Sequence, residues 1–403
     1  MTANTESRVE RFETLLTSTG SELLDRLARG AGGVGGAVGP QQALRLGTQL
    51  RADYPTDLVV DALGQHELRT AAGPKFSRAM DMFFTRAGLE QASSEVVARH
   101  TASRYTAGDT VADLCCGIGG DMLALAEHRR VIAVDVDPFH LRLAAANADV
   151  LGVADHVTTV LSDVRDVDLA EADAVFVDPA RRAGRRRFRT GDSEPPLDWC
   201  LELTGRVTKV GIKAAPGLPH EAVPAGWELE FIALGRDLKE AVAWSPALAT
   251  AGTRATLLPE GHTLMPAPGH EVHEADVEVR APGEYLLDPN PAVTRAGLVV
   301  ELARELGAWK IDEKIAFLAA DTPMRTPFGR SLRVIDSAPW NQKQLPARLR
   351  ELDIGAVDIR RRGLAGDVDQ LRKRLKLSGA RRAILVMTRV NDRPWGLVCL
   401  DDE

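Results

Sequence analysis

Residues 111–121 read V-A-D-L-C-C-G-I-G-G-D, an apolar run that ends in glycines and continues into a helical pattern. That junction leaves few folds open. Glycines let the backbone turn sharply and let a ligand approach it closely. The helix behind them opens with free N–H groups. A strand, a glycine loop and a helix in this order form the ligand-binding corner of an open α/β sheet. The same texture continues in VIAVDVD (131–137), VTTVLSD (157–163), DAVFVDPA (173–180) and VTKVGIKA (207–214), each set apart from the next by a helical or loop segment. Such alternation predicts an α/β fold with a Rossmann-like sheet and crossover helices. WELEFIALGRDLKEAVAWSP (227–246) and TRATLLPEGHTL (253–264) are expected to add strands that close the sheet as a hairpin.

Three acids stand at strand ends. Asp135 follows the first glycine by about 20 residues, the spacing of a ribose-binding carboxylate. Asp113 lies just before the glycines, and Asp163 ends the next strand, where it can meet an adenine amine. A nicotinamide site fits less well. Its third fingerprint glycine would fall at Met122, which breaks G-x-G-x-x-G. The negative charge of Asp113 beside the ligand suits a sulfonium and an amino group better than a pyrophosphate.

The set DLCCGIGGD, VDVDP, LSDV and VDPA resembles the ordered motifs of class I methyltransferases that use S-adenosyl-L-methionine. More narrowly, it is similar to the trimethylguanosine synthase-like RNA methyltransferases. These share a D-x-x-C-G-x-G-G loop, an acid turn and an N-A-x-x-x-G-[VI] helix end, met here at 113–120, 134–138 and 147–153. The segment FFTRAGLEQASSEVVARH (83–100) looks like the piece that precedes the fold in such enzymes, and the C-terminal stretch from Asp358 to Val390 resembles a THUMP-like domain. The resemblance implies that Asp113, Gly117 and Gly119 line the methionine part of the cofactor. It also implies that Asp135 holds the ribose, and that Asp163 faces the adenine between Val136 and Val164.

Asp178 and Pro179 end the fourth strand, where such a sheet places its ligands. Amino-methylating relatives read Asp/Asn-Pro-Pro-aromatic here, and the acid and the proline carbonyl accept protons from the target amine. This chain keeps Asp178 and Pro179 but has Ala180 and Arg181 in place of the proline and the aromatic. A stacking platform must then come from an arginine, Phe188, Trp199 or Phe84. A uridine C5 mechanism needs a cysteine nucleophile, and Cys200 lacks the proline-flanked context for it.

Charge adds a partner. Arg181, Arg182, Arg185, Arg186, Arg187 and Arg189 follow the reacting motif and are placed to grip phosphates. Fourteen cations and six acids lie between Asn341 and Gly396, a surplus of eight in a chain whose net charge is −7. That asymmetry predicts an accessory RNA-binding module. The expected organisation is a helical region at 1–100, a methyltransferase domain at 101–268, a proline- and glycine-rich linker at 269–290 that few contacts cross, and a THUMP-like α/β domain at 291–403. Four cysteines, two adjacent (Cys115, Cys116) and two isolated (Cys200, Cys399), with no CxxC pair or Cys/His cluster, argue against a metal or a disulfide framework. With no signal-like or membrane-length apolar run, a cytoplasmic address is expected. Methylation of an exocyclic base amine of RNA is the leading expectation. Two others stay open: a small-molecule or protein methyltransferase, and a non-catalytic protein that binds the cofactor and RNA.

Overall fold

The computed structural model describes residues 3–30, 40–181, 193–267 and 277–401. The chain divides into two compact units, one of residues 1–227 with 242–250, the other of 228–241 with 251–403.

The first unit opens with helices α1 (Ala3–Leu16), α2 (Ser18–Gly30), α3 (Pro40–Leu50), α4 (Thr56–Ala72), α5 (Arg86–Gln91) and α6 (Glu95–Ala102). Phe12, Leu15, Leu23, Leu24 and Leu27, which recur at helical spacing, are buried. Strands β1 (Thr110–Leu114), β2 (Arg130–Asp135), β3 (Val157–Leu161), β4 (Ala174–Val177) and β7 (Lys209–Ala214) follow, with helices α7 (Gly120–Ala126), α8 (Pro138–Leu151) and α9 (Leu197–Glu202) between them. These strands are parallel in the order β3-β2-β1-β4-β7. The chain therefore winds outward from β1 to β3 and then returns to the other side of β1. Beyond the carboxyl ends of β1 and β4 this reversal opens the crevice where open α/β sheets bind ligands. A short pair, β5 (Ala180–Arg181) and β6 (Ser193–Glu194), follows β4.

The segment 227–246 folds as two strands, β8 (Glu228–Leu234) and β9 (Asp237–Trp244), around a turn at Gly235, where φ is +58°. The segment 253–264 likewise gives two, β10 (Thr253–Leu258) and β11 (His262–Leu264). β10 runs parallel to β8 and antiparallel to β11. In the second unit, helices α10 (Pro291–Arg295), α11 (Val299–Leu306), α12 (Leu345–Glu351) and α13 (Val368–Arg374) accompany a seven-stranded sheet. Its strands are β12 (Tyr285–Pro289), β13 (Trp309–Lys310), β14 (Leu318–Ala320), β15 (Gly329–Pro339), β16 (Ile354–Arg361), β17 (Arg381–Val390) and β18 (Arg393–Asp401), in the order β13-β14-β12-β15-β18-β17-β16. Thus β12 lies inside the stretch whose composition reads as a linker. The last hairpin turns at Asn391 and Asp392, both at positive φ, as its two-residue loop requires. Leu345, Leu349, Leu371, Leu385, Met387 and Val398 form the core beneath α12 and α13.

Among the described residues no helix is long and apolar enough to cross a membrane, and no group of three or more His, Cys, Asp or Glu could hold a metal ion.

Candidate active site

The glycine loop after β1 turns through left-handed backbone at Cys115 (φ +64°), Gly117 (+55°) and Gly119 (+92°). A Cβ on Gly119 would lie 2.9 Å from Met122 Cε, whereas one on Gly117 would meet nothing within 4 Å. The loop is packed from below at Gly119 and open at Gly117. The Gly117 N–H donates to Asp135 Oδ2 at 2.9 Å, and the Asp137 N–H donates to Asp135 Oδ1 at 2.8 Å. Asp135 thus ties the end of β2 to the glycine loop, while Asp137 caps α8 through the Phe139 N–H. Beside Asp135, the apolar Val136 is 64% exposed, and Val164 is buried. Asp163 accepts from the Arg165 N–H at 2.9 Å and pairs with its guanidinium at 3.2 Å.

Asp113 is buried in β1, and neither carboxylate oxygen has a hydrogen-bond partner among the described residues. Burial, then the nearby Asp121 and Asp178, push its carboxyl well above the usual range, while Lys213 opposes the shift. Lys213 enters because β7 lies beside β4 with Ile212 opposite Val177, so Asp178 and Lys213 leave the sheet side by side. The Lys213 ammonium sits 2.7 Å from Asp178 Oδ2 and 3.2 Å from Asp121 Oδ2. Ser93 Oγ donates to the same Asp121 oxygen at 3.3 Å. Asp121, Asp178 and Asp135 stand against the single ammonium of Lys213 around Asp113, a surplus of acids that favours a cationic ligand.

The sequence assigns no role to Lys213, Asp121, Ser93 or Asn147, although Asp121 closes the glycine motif and Asn147 opens the helix-end pattern. Lys213 is the terminal cation of an ordinary strand, GIKA, and its position after an acid-ended neighbour is the one sequence signal it gives. Asn147 appears only as part of a helix-end pattern. In the structure its Nδ2 donates to Phe83 O at 3.0 Å and Ile118 O at 3.1 Å, and its Oδ1 accepts from the Phe83 N–H. It fastens the entry segment to the glycine loop. Pro179 is buried and Asp178 half-buried at the end of β4. Arg182, Arg185, Arg186 and Phe188 lie outside the described residues, as does the side chain of Arg181. Phe84 cannot be the stacking platform: it is 1% exposed and packs against Phe76 at 5.6 Å. Trp199 is half-buried. Cys200 is fully buried, and burial pushes its thiol up to about 12, which leaves no nucleophilic thiolate at neutral pH.

Two relatives from strains of Mycobacterium tuberculosis, both named as uncharacterized S-adenosylmethionine-dependent methyltransferases, are 36% identical over 323 residues. The match spans 76% of this chain and 84% of each relative. The chain belongs to the S-adenosylmethionine-dependent methyltransferases. Family models agree with this along the methyltransferase: RNA cap guanine-N2 methyltransferase matches residues 108–189, THUMP domain-like matches 329–400, and a domain of unknown function matches 8–72. A solved structure from Porphyromonas gingivalis W83, provisionally named a methyltransferase, has the same fold with a TM-score of 0.73 at 19% identity. That likeness covers 90% of this chain and 99% of the other.

The residues of this methyltransferase fit its cofactor. Asp113 offers a buried carboxyl group with no hydrogen-bond partner among the described residues, which the cofactor's ammonium would supply. The open side of Gly117 leaves room at the loop, and Asp135 stands beside it with the bare side chain of Val136. S-adenosyl-L-methionine brings an electrophilic methyl group on a sulfonium. The chain's own part would be to hold that cation beside these acids and to present the acceptor in line with it.

Proposed function

We propose that this methyltransferase transfers the methyl group to an exocyclic base amine of RNA, with Asp178 and Pro179 as the catalytic pair. The observation that carries this reading is the placement of Asp178 beyond the end of β4, beside the switch point, with its carboxylate anchored at one oxygen by Lys213. A carboxylate there can accept an N–H from an amine and so turn the nitrogen lone pair toward the sulfonium. Such orientation supplies much of the barrier reduction in a methyl transfer. In the same scheme Asp113, Gly117 and Gly119 hold the methionine part of the cofactor, Asp135 the ribose, and Asp163, Val136 and Val164 the adenine. Arg181, Arg182, Arg185 and Arg186 are assigned to the RNA phosphates from their place in the sequence. The match to RNA cap guanine-N2 methyltransferases over 108–189 and to a THUMP-like module over 329–400 supports an RNA substrate.

The test is transfer of labelled methyl from S-adenosyl-L-methionine to RNA, to small-molecule pools and to protein fractions, followed by nucleoside mass spectrometry of the RNA. Label on an exocyclic amine, lost in Asp178→Ala, is expected. Label only in protein or small molecules would overturn the RNA reading.

A further inference from the structure

In the second unit two arginines from distant parts of the sequence, Arg236 and Arg362, meet at one buried carboxylate, and Arg330 and Arg360 stand near them. Asp288, on β12, is 7% exposed. Arg236, from the turn between β8 and β9, approaches Asp288 Oδ2 to 2.8 Å. Arg362, just past β16, approaches Asp288 Oδ1 to 3.3 Å, and its guanidinium lies over the Phe317 ring at 4.8 Å. Arg330 stands opposite Asp288 in the β12–β15 ladder and pairs with Asp401. Arg360 lies two residues before Arg362 and is exposed.

Among the described residues, Asp288 and Asp401 are the carboxylates that pair with these guanidiniums, and Arg362 Nη1 has no hydrogen-bond partner. Burial, then Arg360, Arg330 and Arg362, hold the Arg236 guanidinium below its usual value, although Asp288 raises it. Packing like charges together raises the energy of the free protein unless an anion offsets it. The arginines are reachable from solvent: the side chains of Arg236, Arg330 and Arg362 are 39%, 31% and 28% exposed. Asn290 fixes the turn that carries Arg236, since its Nδ2 donates to Gly235 O at 2.8 Å and its Oδ1 caps α10. The cluster is therefore held in place by β12 before any ligand arrives. Planar guanidiniums with several free donors match phosphate oxygens better than lysines do.

We infer that Arg236, Arg330, Arg360 and Arg362, organised by Asp288, form a site for the phosphate backbone of the RNA substrate. The inference rests on the RNA reading above and locates a grip that the reading does not. Arg236 lies outside both the 108–189 and the 329–400 family matches, so neither match marks it.

The probe is end-labelled, unfractionated transfer RNA, titrated with full-length protein at several salt concentrations. The variants are Arg236→Gln/Arg360→Gln and a charge-matched control, Arg26→Gln/Arg51→Gln. If two phosphate contacts are lost, the slope of log affinity against log salt should flatten by about 1.4–1.8, while the control keeps the wild-type slope. Cofactor affinity measured by calorimetry should be equal in all forms, which separates a lost site from a misfolded chain. Unchanged slope and affinity in the first variant would sink the site and leave the RNA reading standing. An equal loss in both variants would mean that only total charge matters, and would also sink the site. Absence of RNA binding by the wild type would remove both the site and the RNA reading.

Discussion

Lys213 and Asp178 form an ion pair of 2.7 Å at neighbouring strand ends, and the same ammonium reaches Asp121 at 3.2 Å. The Lys213 side chain is 10% exposed, so the pair is not a screened surface contact. Removing the ammonium leaves Asp178 and Asp121 without their shared cation and close to Asp113. Lys213→Met should lower turnover by about 100-fold, the scale expected when a reacting group is displaced by roughly 1 Å. It should also shift the acid limb of the pH–rate profile upward, since a carboxylate that loses a cation holds its proton to higher pH. Lys213→Arg should restore much of the rate. A rate and profile like wild type in Lys213→Met would remove Lys213 from the positioning of Asp178.

Asp113→Asn tests the cost of the unpartnered carboxylate. Because its folded-state affinity for a proton is raised, the folded state binds more protons than the unfolded one, and stability falls as pH rises above the unfolded value of about 3.9. The variant should therefore stabilise the cofactor-free protein at neutral pH by about 0.5–2 kcal/mol, a gain that disappears at pH below about 3.9. Its cofactor affinity should drop by about 10- to 100-fold, the worth of a charge-assisted hydrogen bond. Thermal scans at two pH values and calorimetric titration check both halves. A destabilised variant with full affinity would contradict the assignment.

Asp135→Ala carries two losses at once, because the same carboxylate that is assigned to the ribose also holds the N–H groups of Gly117 and Asp137. Cofactor binding should weaken by about 1.5–3 kcal/mol. Asp135→Asn keeps one acceptor and should bind better than Asp135→Ala. Equal affinity of Asp135→Ala and wild type in calorimetry would refute the role.

The sheet that builds the site is legible because every strand of its parallel part is a short apolar run with an acid or a lysine at its end or within two residues of it. Asp113, Asp135, Asp163 and Asp178 can be found from those ends alone. What pairs with them cannot: Lys213 meets Asp178 only through the β4–β7 register, and Ser93 meets Asp121 only after the entry segment has packed on the loop. Phe84 misleads for a related reason. An aromatic near the motif suggests a stacking surface, but its neighbours in the helical region bury it. Composition also hides β12, whose flanking prolines and glycines mask a five-residue strand, Tyr285–Pro289.

The chain cut after Pro268 tests where the structural division falls. Proline and glycine content at 269–290 predicts a cut that few contacts cross, which would leave residues 1–268 intact. Contacts within the second unit argue otherwise. Thr253 Oγ1 donates to Ala296 O at 3.0 Å, Asn290 Nδ2 donates to Gly235 O, and Asp288 pairs with Arg236. Ala292 and Val293 of α10 are fully buried, and α10 packs against β8 and β10. Removing residues 269–403 therefore strips the partners from β8, β10 and the Gly235 turn, and exposes their apolar side chains to water. The truncated protein should aggregate, or should lose the cooperative thermal transition of the full chain. Size-exclusion chromatography and calorimetry on both forms decide the matter. A monomeric product with a sharp transition and full cofactor affinity would show that β8–β11 stand without the C-terminal sheet.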